Sequence, residues 1–225
     1  DELDLQWPWP RAVHGQFLDI ISKGRPAAIG FDIVFPEPSS RGPEDDKALA
    51  DAVGLAGNVV LGAAFTEVKS QYTVKEDLNA PIPVLRERAA AFGFVTVIPE
   101  EDAFVRSALL TRAFQRSELS SFDLHLYRLG AQAGIHAAPL PEKRFVLINY
   151  RGGPQTFLTI PYYQVLNGEV EPDLFAGAII LVGSTSPILH DVFPTPFATH
   201  GDMPGVEIHA NVLETLFQGI PVRRA

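Results

Sequence analysis

Ala27-Ala28-Ile29-Gly30-Phe31-Asp32-Ile33-Val34-Phe35-Pro36-Glu37-Pro38, with Glu44-Asp45-Asp46 close behind, is the stretch on which the fold turns. A run of small and β-branched apolar residues stopped by two prolines reads as a strand buried on both faces. Strands of that kind occupy the middle of mostly parallel sheets. Asp32 interrupts the apolar run, and a buried carboxylate without a partner is costly. It therefore requires a backbone amide pair, an arginine, a metal or a ligand. Glu37, Asp45 and Asp46 follow at the carboxyl end of the strand, where open α/β sheets bind ligands. The plainer account has Asp32 bonded to neighbouring loop amides and the later acids solvating a loop and capping a helix.

Working outward, Trp7-Pro8-Trp9-Pro10 is a stiff aromatic entry that permits a helix to start at Pro10. Val13, Phe17, Ile20 and Ile21 then share one helical face, and Gly24 is placed to end the helix. After the Asp32 strand, Glu44, Asp45 or Asp46 caps a second helix bearing Leu49, Ala52, Val53 and Ala56, closed by Gly57. Residues 58–65 form a second apolar strand. Helix and strand alternate, which predicts parallel strands joined by right-handed crossovers.

Residues 66–80 are polar and aperiodic, the pattern of a surface excursion. A short helix is expected within 83–91. Residues 92–98 and 105–114 read as two strands whose short connection favours an antiparallel pair, making the sheet mixed. A helix begins at Ser120 or Ser121 and carries Phe122, Leu126, Leu129 and Ala133. Strands over 145–150 and 178–182 and a short helix over 161–166 follow. The second of those strands runs into Gly183-Ser184-Thr185-Ser186 and a long loop. Pro204 opens a last helix, 205–218, with Glu207, Asn211, Glu214 and Gln218 on a polar face and His209 beside Val206, Leu213 and Leu216. The expected architecture is one α/β domain over 1–225: a mixed, mainly parallel central sheet with helices on both faces.

Composition narrows the chemistry. A net charge of −9 leaves no basic stripe for phosphates, which argues against nucleic acid. The absence of cysteine excludes disulfides, zinc–thiolate sites and a cysteine nucleophile. No window approaches the ~20 apolar residues of a membrane span. The chain opens on Asp1 and its one methionine is Met203, as expected of a piece of a longer protein.

Several constellations carry possible chemistry. An aspartyl-nucleophile phosphatase needs a second aspartate two positions beyond the first, and that position is Val34. Gly183-Ser184-Thr185 lacks the spaced glycines of a phosphate loop or a dinucleotide fold. His190, Asp191, His200, Asp202, Glu207 and His209 gather donors acceptable to a divalent ion, but without fixed ligand spacing. A buried His209 bonded to Asp191 or Asp32 accounts for the histidine more simply. No serine–histidine–acid signature is present. Arg106 either pairs with Glu100, Glu101 or Asp102 on its own loop or points inward as a partner for Asp32 or an anionic ligand.

The ordered set of motifs resembles a known family. It comprises Trp-Pro-Trp-Pro-Arg at 7–11, Gly-Phe-Asp-Ile-Val-Phe-Pro-Glu-Pro at 30–38, Glu-Asp-Asp-Lys-Ala-Leu-Ala at 44–50 and Asn-Val-Val-Leu-Gly at 58–62. Ile-Leu-Val-Gly-Ser-Thr at 180–185, Asp191, Thr195-Pro196 and Pro-Gly-Val-Glu-Ile-His-Ala-Asn at 204–211 complete it. Together they resemble the type-two CHASE domain, the cyclase/histidine-kinase-associated sensing extracellular module, over nearly the whole chain. In that family's turn Pro-Asp-x-Asp-Gly-Val-x-Arg, this chain keeps Asp102 and Arg106 but has Ala103-Phe104 in place of Gly-Val.

The resemblance implies an extracytoplasmic sensor of a bacterial membrane receptor, flanked by membrane helices. Its output would be a cytoplasmic adenylate or guanylate cyclase, histidine kinase or Ser/Thr kinase, and it would work as a homodimer. The domain itself is expected to be no enzyme and to hold no metal or cofactor. Its signal would be a small molecule or a protein. The residues expected to line a ligand pocket are Asp32, Glu37, Asp46, Asp191, Thr195, Glu207 and His209, with Arg106 as a wall. The competing expectation is a metal-assisted phosphate-ester hydrolase built on the Asp32/Asp191 acids.

Overall fold

In a computed structural model the described residues are 7–69, 74–186 and 191–219. The chain begins with helix α1 (Arg11–Ile21), strand β1 (Ala28–Val34), helix α2 (Pro43–Ala56) and strand β2 (Val59–Lys69). Strand β3 (Val74–Asn79), helix α3 (Pro83–Arg86) and strand β4 (Ala91–Phe94) follow. Next come β5 (Ser107–Leu109), β6 (Thr111–Phe114), β7 (Ser117–Ser120), helix α4 (Phe122–Gln132) and β8 (Phe145–Leu147). Helix α5 (Tyr162–Leu166), β9 (Ile179–Val182), the hairpin β10 (Val192–Thr195) and β11 (Ala198–Pro204), and helix α6 (Gly205–Gln218) complete it.

The sheet is mixed, as predicted. β1 lies between β9 and β2 and is parallel to both, and β2 is parallel to β4. β3 runs antiparallel to the second half of β2. Alternation along β1 divides its side chains between two apolar clusters. Ile29 and Phe31 pack with Phe17, Leu18 and Ile21 of α1 and Leu49 and Val53 of α2. Ala28, with Val60 of β2, joins Phe122 and Leu126 of α4 and Ile208 and Val212 of α6. Gly30 is part of this arrangement, since a Cβ there would lie 2.5 Å from the Phe122 ring. Gly93 of β4 likewise lets the backbone at Ser121 and Phe122 approach, where a Cβ would meet Phe122 N at 2.5 Å.

Local chemistry explains the helix ends. Pro10 offers no side chain to cap α1, and the Asp45 carboxylate of α2 does so instead, accepting from the N–H groups of Arg11 and Ala12 at 2.9 Å each. Ser121 caps α4 by accepting from Leu124 N at 3.1 Å. Gly57 ends α2 in the left-handed region at φ 73°. α6 covers 205–218 as predicted.

Four expectations are corrected. Gly24 does not supply the left-handed turn after α1. Arg25 does, at φ 56°, because Gly24 is pressed against Pro172, whose carbonyl would sit 2.0 Å from a Cβ at residue 24. The polar segment after residue 65 is no surface excursion, because β2 continues to Lys69 and pairs with β3; residues 70–73 lie outside the described residues. Residues 92–98 and 105–114 do not pair with each other. β4 is drawn into the main sheet beside β2, whereas the later run breaks at Leu110, so that β5 pairs with β8 and β6 with β7. The loop after Gly183 contains the β10–β11 hairpin.

The turn between those two runs is closed by its own backbone hydrogen bonds. Ala103 takes φ 67° where Gly is usual, its N–H donates to the Glu100 carbonyl at 2.8 Å, and Glu100 N–H donates to the Phe104 carbonyl at 2.8 Å. A non-glycine residue in that region is uncommon. Arg106 closes the turn through Asp102 at 2.8 Å and Glu100 at 3.2 Å.

Candidate functional site

β1 pairs with β9 as far as Phe31 opposite Val182. Asp32 is therefore the first residue past the pairing, at the carboxyl edge of the sheet, where β9 turns away through Gly183. A Cβ on Gly183 would stand 3.2 Å from Cβ of Asp32 and 2.8 Å from that of Val206 on α6, so glycine is what lets the three segments converge. The result is a cleft of about 660 Å³. Its lining includes Asp32, Asp191 and His209, the 183–186 turn, and the aromatic group of Trp7, Trp9, His14 and Tyr162. That volume lies within the ~300–1,000 Å³ of small-molecule sites.

Asp32 keeps part of its surface on the cleft, while its Oδ2 is fully buried and has no hydrogen-bond partner among the described residues. Burial raises its pKa to about 6, with the nearby charges of Asp191 and Asp123 adding to the effect and His209 opposing it. His209 is buried on the first turns of α6, and its Nδ1 lies 2.9 Å and 3.1 Å from the two carboxylate oxygens of Asp123 on α4. Burial disfavours its charge. The Asp123 charge and hydrogen bond, with smaller contributions from Asp32 and Asp191, outweigh that and lift its pKa to about 9. The buried imidazole is thus a cation at neutral pH, and its Nε2 also lacks a partner among the described residues. Asp191 is raised by burial, against the pull of His209.

Asp191 is bonded to the start of α6. Gly205 N–H donates to its carbonyl at 3.0 Å, and a Cβ on Gly205 would collide with its carboxylate at 2.5 Å. On the aromatic side, Trp7 and Trp9 meet edge-to-face at 5.7 Å, and Trp9 lies 5.1 Å from Tyr162. Tyr162 also stacks on Phe17 at 4.0 Å and lies 2.9 Å from His14 Nδ1. Burial depresses His14 to a pKa of about 4, so it stands neutral beside the cleft.

The other predicted pocket residues are elsewhere. Asp46 is held by the Arg11 guanidinium and by Ser39 N–H, and the carbonyl of Glu37 also accepts from Arg11. Arg106 is engaged with Asp102 and Glu100 and lies over the Phe104 ring at 4.9 Å. Thr195 is buried at the β10–β11 turn, where its Oγ1 accepts from Phe197 N. The Glu207 carboxylate holds the 153–156 loop by accepting from Gln155 N and Thr156 N at 3.0 and 2.9 Å. His190 and the side chains of His200 and Asp202 lie outside the described residues. The expected partner of His209, Asp191 or Asp32, is replaced by Asp123. Sequence reading missed Asp123 and the aromatic wall. A carboxylate between Phe122 and Leu124 at the start of α4 and the tryptophan pair were the available signals.

The cleft thus lies at the carboxyl edge of the parallel strands of an α/β fold and gathers carboxylates, an imidazole and aromatic rings. The CHASE2 domain model matches residues 1–225, and the chain belongs to that family. CHASE2 domains are extracytoplasmic sensory modules rather than catalysts. No curated protein and no solved structure is matched. Among the described residues, no group of three or more histidine, aspartate or glutamate side chains is placed to hold a metal ion. Among the described residues, too, no helix is long and apolar enough to cross a membrane.

Proposed function

We propose that this chain is a single extracytoplasmic sensory module of a bacterial membrane receptor and that it reads a small molecule in the Asp32–Asp191–His209 cleft. The observation that carries the reading is the buried, unpartnered Asp32 Oδ2 on a cleft of about 660 Å³. A polar atom left in that state is costly to the fold and is repaired by a ligand. The cleft touches the segment entering α1, through Trp7 and Trp9, and the start of α6, through Asp191 and His209. A ligand bridging the two sides favours one relative placement of those segments and so biases a two-state receptor. Flanking membrane helices would pass the bias to a cyclase, histidine kinase or Ser/Thr kinase, with the receptor acting as a homodimer.

The test is thermal unfolding of the chain against a library of metabolites. A ligand at ~100 times its dissociation constant adds about 2.7 kcal/mol. A selective upward shift that Asp191→Asn removes is the expected result. A ligand whose shift is untouched by substitutions at Asp32, Asp191 and Trp9 would place recognition outside the cleft.

A further inference from the structure

We infer that the cleft takes a small organic amine, its ammonium group received by Asp32 and Asp191 and its carbon body lying on Trp7, Trp9 and Tyr162. This deepens the proposed sensory reading and rests on it.

Charge is the first argument. Among the described residues the lining includes two carboxylates and no lysine or arginine, and Asp123 is bonded to His209. Three carboxyl groups, Asp32, Asp191 and Asp123, thus surround the single imidazole of His209, so acids outnumber bases in the group. Other cations that could offset it are committed elsewhere, Arg11 to Asp46 and Arg106 to Asp102. An anionic occupant would enter a field of its own sign, whereas a cation lowers the electrostatic energy of the whole cluster.

The second argument is hydrogen bonding. Asp32 Oδ2 is an acceptor with no donor among the described residues. An ammonium group brings three donors for Asp32 and Asp191, while His209 Nε2–H, the other atom without a partner among the described residues, is a donor that it does not meet. The third is the aromatic lining. Trp9 lies 5.1 Å from Tyr162 and 5.7 Å from Trp7, so indole and phenol rings are clustered on the same cleft as the acids. Ring faces are negative and attract cations, and the same rings cover apolar carbon. A bare inorganic cation would leave that aromatic surface unused, and a neutral sugar would leave the charge unanswered.

The chain provides its own reporter, because Trp7 and Trp9 are its two tryptophans and both line the cleft. Three probes of similar carbon body separate the ligand classes: 2-phenylethylamine, phenylacetate and 2-phenylethanol. They are titrated at constant ionic strength, with tryptophan emission and calorimetric heat as readouts. The amine is expected to bind saturably and at least tenfold more tightly than the other two. Asp32→Asn and Asp191→Asn should each weaken it tenfold or more while the far-ultraviolet circular dichroism is unchanged. Asp191 is half-buried, so its variant serves should the Asp32 variant fail to fold. Phenylacetate or 2-phenylethanol binding as tightly as the amine would overturn the amine assignment and leave the cleft as the site. Amine binding that survives both substitutions would also overturn it. Silence from all three probes in both readouts would overturn the amine and the cleft together.

Discussion

Replacing Asp32 by Asn should stabilise the protein at neutral pH. The carboxyl has a pKa of about 6 in the fold against 3.8 for the free side chain. A group whose folded pKa is raised opposes folding once ionised: the folded state binds the extra proton between pH 3.8 and 6, and stability declines as pH rises through that window. About two pKa units at 1.36 kcal/mol each give a cost of about 3 kcal/mol at pH 7.5. Asparagine has nearly the same shape and no charge, so the variant should gain up to that amount. The gain should shrink to about 1 kcal/mol at pH 4.5, where much of the unfolded-state carboxyl is still ionised but the folded one is not. For a chain of this length the neutral-pH gain corresponds to a rise in Tm of about 6–12 °C. Urea denaturation of both proteins at pH 7.5 and 4.5 measures the difference directly. A variant less stable than the parent at pH 7.5, or a difference independent of pH, would refute the reasoning and make Asp32 a structural member of the fold. A stabilised variant that no longer responds to ligand is the outcome expected of a binding site kept at the expense of stability.

Three further outcomes follow from the packing. His209 contributes stability that is full below pH 6.5 and lost as pH rises through about 9, so wild-type stability should fall across that window, and Asp123→Asn should flatten the fall and move the imidazole titration, followed by NMR, toward the ordinary range. Arg11→Met removes the partner of the buried Asp46 and should cost about 3–5 kcal/mol in urea denaturation, with a partial return of stability when Asp46→Leu is added. Gly93→Ala pushes a methyl group into the backbone of the α4 start and should lower stability by about 3 kcal/mol or prevent folding, seen as lost soluble yield or a lowered Tm.

Much of the fold was legible because its signals are local. The runs at 28–34, 59–63 and 179–182 are apolar but for Asp32, and each became a strand of the sheet. Gly57 and Ser121 end and begin helices by chemistry internal to their own turns. Strand partners were not legible in the same way. The run 105–114 breaks at Leu110 because β7 and β8 compete for its two halves, a contest among distant segments. For the site, Asp32, Asp191 and His209 were found because polar residues in apolar surroundings announce themselves. Asp46 and Glu207 carry the same chemistry but are taken up by Arg11 and by backbone N–H groups of nearby loops, Glu37 meets Arg11 only through its main-chain carbonyl, and Arg106 is spent on Asp102 of its own turn. Asp123 escaped notice because its partner is 86 residues away.

One feature of α6 governs how anything felt at Asp191 must spread. The helix is fastened to α4 at two heights: His209 to Asp123 near its beginning, and Phe217 against Tyr127 near its end, with ring centroids 5.0 Å apart. At ~1.5 Å rise per residue those fastenings are about 12 Å apart along the axis. Two rivets forbid the pivoting that one would allow, so α6 can neither swing nor bend on its own. Because Gly205 is bonded to Asp191, that loop is tied to the α4–α6 pair as to one plank, which lies close on β1 where Gly30 admits the Phe122 ring.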